Sequence, residues 1–81
     1  MGNREKYDKV FIECFGLTPD QLGEKLVYRS VQAWDSAGHM GMIAALEESF
    51  DIMLETDDII EFSSYDLGIV LLKKYGVDLG A

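Results

Sequence analysis

With 81 residues the chain is long enough for one compact domain, 1–81, and too short for two; a core of that size does not also enclose a large substrate cavity. Seven Lys and Arg against fifteen Asp and Glu leave a net charge of −8, which repels nucleic-acid phosphates and anionic membranes and favours partners that present a basic patch. Hydrophobic residues at 48% argue against a disordered acidic tail, and Cys14, the single cysteine, excludes an internal disulfide and a cysteine-based zinc site.

No apolar run approaches transmembrane length, and the basic-then-apolar start of a secretion signal is missing. The Met1-Gly2 start lacks a myristoylation motif because Lys6 stands where Ser or Thr is required. A cytoplasmic monomer that contacts neither nucleic acid nor membrane is the expectation.

The first helix is predicted from about Asn3 to Phe15, where Tyr7, Val10, Phe11 and Cys14 recur at i, i+3, i+4, i+7 spacing. Gly16 follows as its stop. Between Phe11 and Phe15, Cys14 is expected to be a core thiol. Thr18-Pro19 opens a short turn of helix, with Thr18 as cap and Pro19 in the first position. From Gly23 to Trp34 no helical period is sustained, and Leu22, Leu26, Val27, Tyr28, Val31 and Trp34 read as side chains pinning a long loop to the rest.

The second helix is predicted from about Ser36 to Phe50 with Asp35 as N-cap. Thr56 is expected to cap a short third helix whose first turn holds Asp57 and Asp58, the sign that suits the helix dipole. The last helix covers about Ser64 to Tyr75, opened by Ser63 and Asp66 at capping-box spacing and stopped by Gly76. Its inner stripe is expected to be Tyr65, Ile69, Leu72 and Tyr75. The fold class is all-α: a small four-helix bundle of three main helices and one short third helix, with the long loop between the first and second.

At about 100° per residue, the second helix gathers His39, Met42, Ile43, Leu46 and Phe50 on a core face. The opposite face carries Ala37, Met40, Gly41, Ala44, Glu47, Glu48 and Asp51. Small and adaptable apolar residues ringed by carboxylates fit a docking surface better than a solvated face, which strong charged helix formers would fill. Ser36 stands at the start of this helix, where unpaired N–H groups and the positive end of the dipole favour an anion. On the residues alone it reads first as a capping serine; a phosphodiester on its hydroxyl would also sit in a favourable field. Asp35 beside it opposes such a phosphate unless it caps the helix or binds the metal ion of a modifying enzyme.

The run Trp34-Asp35-Ser36-Ala37-Gly38-His39-Met40, followed by Ala45-Leu46-Glu47-Glu48-Ser49-Phe50-Asp51, resembles the Asp-Ser-Leu motif and second helix of acyl carrier proteins. The resemblance extends over nearly the whole chain. It implies a protein that is no enzyme itself and carries acyl or aminoacyl groups as thioesters on a covalent 4′-phosphopantetheine arm attached to Ser36. It further implies Asp35 beside the attachment point and Ala37, Met40, Ala44, Glu47, Glu48 and Asp51 in the helix that partners read. Those partners are a phosphopantetheinyl transferase, an acyl- or aminoacyl-loading ligase and downstream transferases or synthases with basic patches. The family resemblance as a whole implies fatty-acid-like or specialised biosynthesis. Ala37 replaces the usual Leu, Gly41 a common Glu, and Trp34 a small residue, and such variants resemble discrete carriers of specialised pathways, natural-product or surface-polysaccharide assembly. Gly38 and Gly41 are each expected to cost about 1 kcal/mol relative to Ala and to loosen the start of the helix.

Three other readings are open. An unmodified acidic helical adaptor for basic partners needs nothing from Ser36. A small hydrolase would use Ser36 as nucleophile and His39 as base, although no third group is placed to orient His39. Asp51, Glu55, Asp57, Asp58 and Glu61 do not follow the spacing of a calcium loop, so they read as a solvated acidic surface with no metal.

Overall fold

A computed structural model describes residues 2–80, so Met1 of the Met1-Gly2 start lies outside the described residues. Helix α1 spans Asn3–Phe15 and buries Tyr7, Val10, Phe11 and Phe15. It ends where Gly16 turns left-handed (φ 65°), and both Gly16 and Leu17 donate back to the Ile12 carbonyl. Cys14 corrects an expectation: it is exposed, because Phe15 rather than Cys14 closes the inner stripe of the last turn. A single 3₁₀ turn, Pro19–Gln21, follows, with Thr18 and Gln21 in a reciprocal capping box.

Helix α2 runs Ser36–Phe50 and α3 runs Thr56–Glu61. Glu55, not Thr56, occupies the N-cap position of α3, without a side-chain cap bond. Helix α4 covers Tyr65–Lys73 and is capped by Ser64, whose hydroxyl accepts from the Leu67 amide at 2.9 Å. Ser63 was the expected opening residue. Its carbonyl is instead taken by the loop, accepting from the Tyr28 amide at 2.8 Å, while the Tyr65 amide donates to Leu26. This antiparallel bridge, Val27↔Ser64, pins the long loop through its backbone as well as through buried Leu26 and Trp34.

The bundle is all-α, as the patterning predicts, with α1 packed along α2 and α4 closing the core. Tyr7, Phe11, Trp34, Phe62, Met42, Ile43, Leu46 and Leu72 form its fully buried centre. Each large apolar side chain so buried contributes about 1.5–3 kcal/mol. On α4 the inner stripe is Tyr65, Gly68, Leu71 and Leu72; Ile69 and Tyr75 are only half-buried. Gly68 belongs there because a Cβ would fall 2.1 Å from the Phe62 ring and 2.3 Å from the Tyr7 hydroxyl. After α4 the chain folds back: Val77 and Leu79 are buried, and Arg4 and Asn3 of α1 donate to the Leu79 and Asp78 carbonyls. Among the described residues no helix is long and apolar enough to cross a membrane.

Candidate functional site

Ser36 is the first residue of α2 and is exposed. Asp35 precedes it in extended conformation (φ −107°, ψ −168°), and its Oδ1 accepts from the Gly38 amide at 2.9 Å. The His39 amide bonds to the Asp35 carbonyl at 2.7 Å. Asp35 therefore caps the helix, and the first-turn amides of Ser36 and Ala37 precede the bonded ladder. One of its carboxylate oxygens is thereby committed to the backbone.

Ser36 is held there by the turn ahead of it. The Trp34 amide closes a turn on the Val31 carbonyl, and Arg29, left-handed at φ 68°, donates its amide to the Trp34 carbonyl. This packs the Ala33 carbonyl against the first turn of α2, so close that a Cβ on Gly38 would lie 1.9 Å from Ala33 O. Gly38 is thus needed by tertiary packing, and the expectation of a simple helix penalty is corrected for it. Gly41 has open space around it.

The indole of Trp34 is wholly buried and donates from Nε1 to His39 Nδ1 at 3.0 Å. An indole N–H only donates, so Nδ1 is the unprotonated nitrogen and Nε2–H donates to the Ile59 carbonyl at 2.8 Å. Both ring nitrogens are spent on fixing α2 to the loop and to α3. Neither is offered to the Ser36 hydroxyl, which removes the geometry a serine–histidine hydrolase needs.

The neighbour of the Ser36 hydroxyl is Tyr28, with the two oxygens 3.1 Å apart. The Tyr28 ring stands edge-on to both Trp34 and His39, so packing sets where its hydroxyl points. The Ser36 hydroxyl first, and then Arg29, whose guanidinium lies 5.6 Å above the ring, hold the Tyr28 phenol below its usual pKa. Beside these two hydroxyls a cleft of about 310 Å³ opens between the loop, α2 and α3. Ser36 is part of its lining; Met40, Ile59, Ile60 and Phe62 supply its apolar wall.

The outer face of α2 places Ala37, Met40, Gly41, Ala44, Glu48 and Asp51 in solvent, with Met40 54% exposed. Its carboxylates do not form one cluster. Glu47 is half-buried and accepts from the Leu54 amide at 2.9 Å, tying α2 to the loop before α3. Glu48 borders a groove toward α1 shared with Lys6, Lys9 and Cys14. Asp51 is the left-handed C-cap (φ 52°), some fifteen helical residues and so about 22 Å from Ser36. Among the described residues no three His, Cys, Asp or Glu side chains come together to hold a metal ion; Asp58 is buried and turned to Lys74 and Tyr75.

Tyr28, Ile59, Ile60 and Ser63 as neighbours of Ser36 were not found by patterning. One signal was present: adjacent Ile59 and Ile60 lie about 100° apart on a helix of six residues and cannot both face the core. No protein-family model matches the chain, and no curated protein matches it.

Proposed function

We propose that the chain is a carrier protein of acyl-carrier type, holding a 4′-phosphopantetheine arm on Ser36. One observation carries this reading: an exposed serine hydroxyl at the first position of a helix, beside an open cleft, whose hydrogen-bond partner among the described residues is the Tyr28 hydroxyl. The resemblance of residues 34–40 and 45–51 to the acyl-carrier motif supports it, and so does the charge of −8, which speeds encounters with basic partner surfaces.

The residues present suit the group. Modification would join Ser36 Oγ to phosphorus as the pyrophosphate P–O bond of coenzyme A breaks, the hydroxyl proton passing to a base of the transferase and adenosine 3′,5′-bisphosphate leaving. The positive end of α2 favours the resulting phosphodiester. Asp35 caps the helix through Oδ1 and leaves Oδ2 for the divalent cation of the transferase. When attached, the arm supplies a thiol that holds acyl or aminoacyl cargo as a thioester at high effective concentration near partner active sites. Ala37, Met40 and Ala44 form the apolar part of the surface those partners read, with Glu48 and Asp51 as its free charges. Glu47 contributes less, since one of its oxygens is bonded within the chain.

Co-expression with a phosphopantetheinyl transferase followed by intact-mass measurement tests this. Wild type gains the mass of one arm and Ser36→Ala gains none while keeping its helical circular dichroism. An unchanged wild-type mass discards the carrier in favour of an unmodified acidic adaptor.

A further inference from the structure

We infer that the cleft beside Ser36 holds the near end of the arm, the pantoyl segment with its two geminal methyls, so that the arm rests docked on the domain and does not swing free from its first bond. This rests on the carrier reading. Ser36 is itself part of the cleft, so whatever is attached to its hydroxyl begins there. At about 30 Å³ per water-sized group the cleft has room for about ten such groups, enough for the pantoyl unit and its first amide and too little for the whole arm with cargo.

The lining matches that chemistry. Met40 and Ile60, 54% and 73% exposed, are apolar surface that a pair of methyl groups would cover. Tyr28 and Ser63 bring hydroxyls for the hydroxyl and amide of the segment. Beneath them the floor is closed: His39 is held by Trp34 and by the Ile59 carbonyl, and the Phe62 ring stands edge-on to it. A chain entering the core there would have to break both bonds, so the docked segment lies along the surface. Tyr28 acts as a positioning residue, its hydroxyl now on Ser36 Oγ and free to serve the phosphodiester formed at that oxygen.

The test is NMR of the full chain before and after loading from coenzyme A labelled with ¹³C in the geminal methyls. Docking gives cross-relaxation between those methyls and Met40 and Ile60. It moves the methyl signals of Met40, Ile59 and Ile60, but not those of Met53 and Val70, which are exposed elsewhere. Ile60→Ser together with Met40→Ser returns the Ile59 methyl signals to their positions before loading and narrows the arm signals to those of free pantetheine, while the mass increase is retained. Arm signals that are already narrow in wild type, or that stay broad in the double variant, overturn docking on Met40 and Ile60 and leave the carrier intact. Absence of any mass increase overturns both. If the double variant does not fold, the wild-type cross-relaxation decides alone.

Discussion

Gly38 and Gly41 lie in the same helix and differ in what surrounds them, so the same substitution should have opposite effects at the two positions. At Gly38 an added Cβ would sit 1.9 Å from the Ala33 oxygen and 3.1 Å from its carbonyl carbon, roughly 1.5 Å inside van der Waals contact. That oxygen belongs to the backbone of the turn carrying Trp34, so it moves only if the indole and its bond to His39 move with it. Overpacking of this kind costs up to about 3 kcal/mol, and the helix gain of Ala over Gly returns about 1. Gly38→Ala should therefore lose about 2 kcal/mol, or roughly 10 °C in Tm for a domain of this size. At Gly41 nothing lies within 4 Å, so Gly41→Ala should gain about 1 kcal/mol and raise Tm by roughly 5 °C. Thermal melts by circular dichroism measure both shifts. Emission of Trp34, the sole tryptophan and wholly buried, should move to the red in Gly38→Ala alone. Shifts of the same sign in the two variants would refute the close approach of Ala33 to the helix.

Lys74 and Tyr75 donate to buried Asp58 and hold its carboxyl below the usual aspartate range. A lowered folded-state value means stability that is present at neutral pH and lost as the pH falls through that value. The urea midpoint of wild type should accordingly drop more steeply in acid than that of Asp58→Asn, and equal slopes would show that the buried contact contributes nothing. Cys14 should react with one equivalent of a disulfide reagent without denaturant, since it is exposed. Partial burial and then Glu13 raise its pKa, so the rate should still be climbing with pH past the ordinary thiol range. A thiol that is silent until the chain unfolds would return it to the core.

Both long helices at the front of the chain were legible because their signals are local. Gly16 as the stop of α1, Asp35 as the cap of α2 and the period of the apolar residues in both are signals within a few positions of one another, and they placed Asn3–Phe15 and Ser36–Phe50 where the structure has them. Asp35 as N-cap and Ser36 as an open first residue follow from the same short-range rules. Periodicity is less informative about which side of a stripe turns inward. Phe15 is buried where Cys14 is exposed, and Gly68 with Leu71 is buried where Ile69 is only half-buried, a choice between adjacent positions of a stripe that periodicity alone does not make. The capping residue of α4 slipped by one for a different reason: Ser63 was claimed by a backbone bond from residue Tyr28, far away in sequence.

By itself, then, the order of residues determined the helical class, the boundaries of α1 and α2, the acidity and the serine at a helix start, since each depends on neighbours a few bonds away. Folding decided the surroundings of that serine. Tyr28 reaches it from the loop, Ile59 and Ile60 from α3, and Ala33 presses on Gly38, all through contacts between segments that only the packed chain brings together. The inward turn of Glu47 and the burial of Val77 and Leu79 belong to the same group. Their energies depend on distances across the bundle, and no local pattern along the chain encodes those.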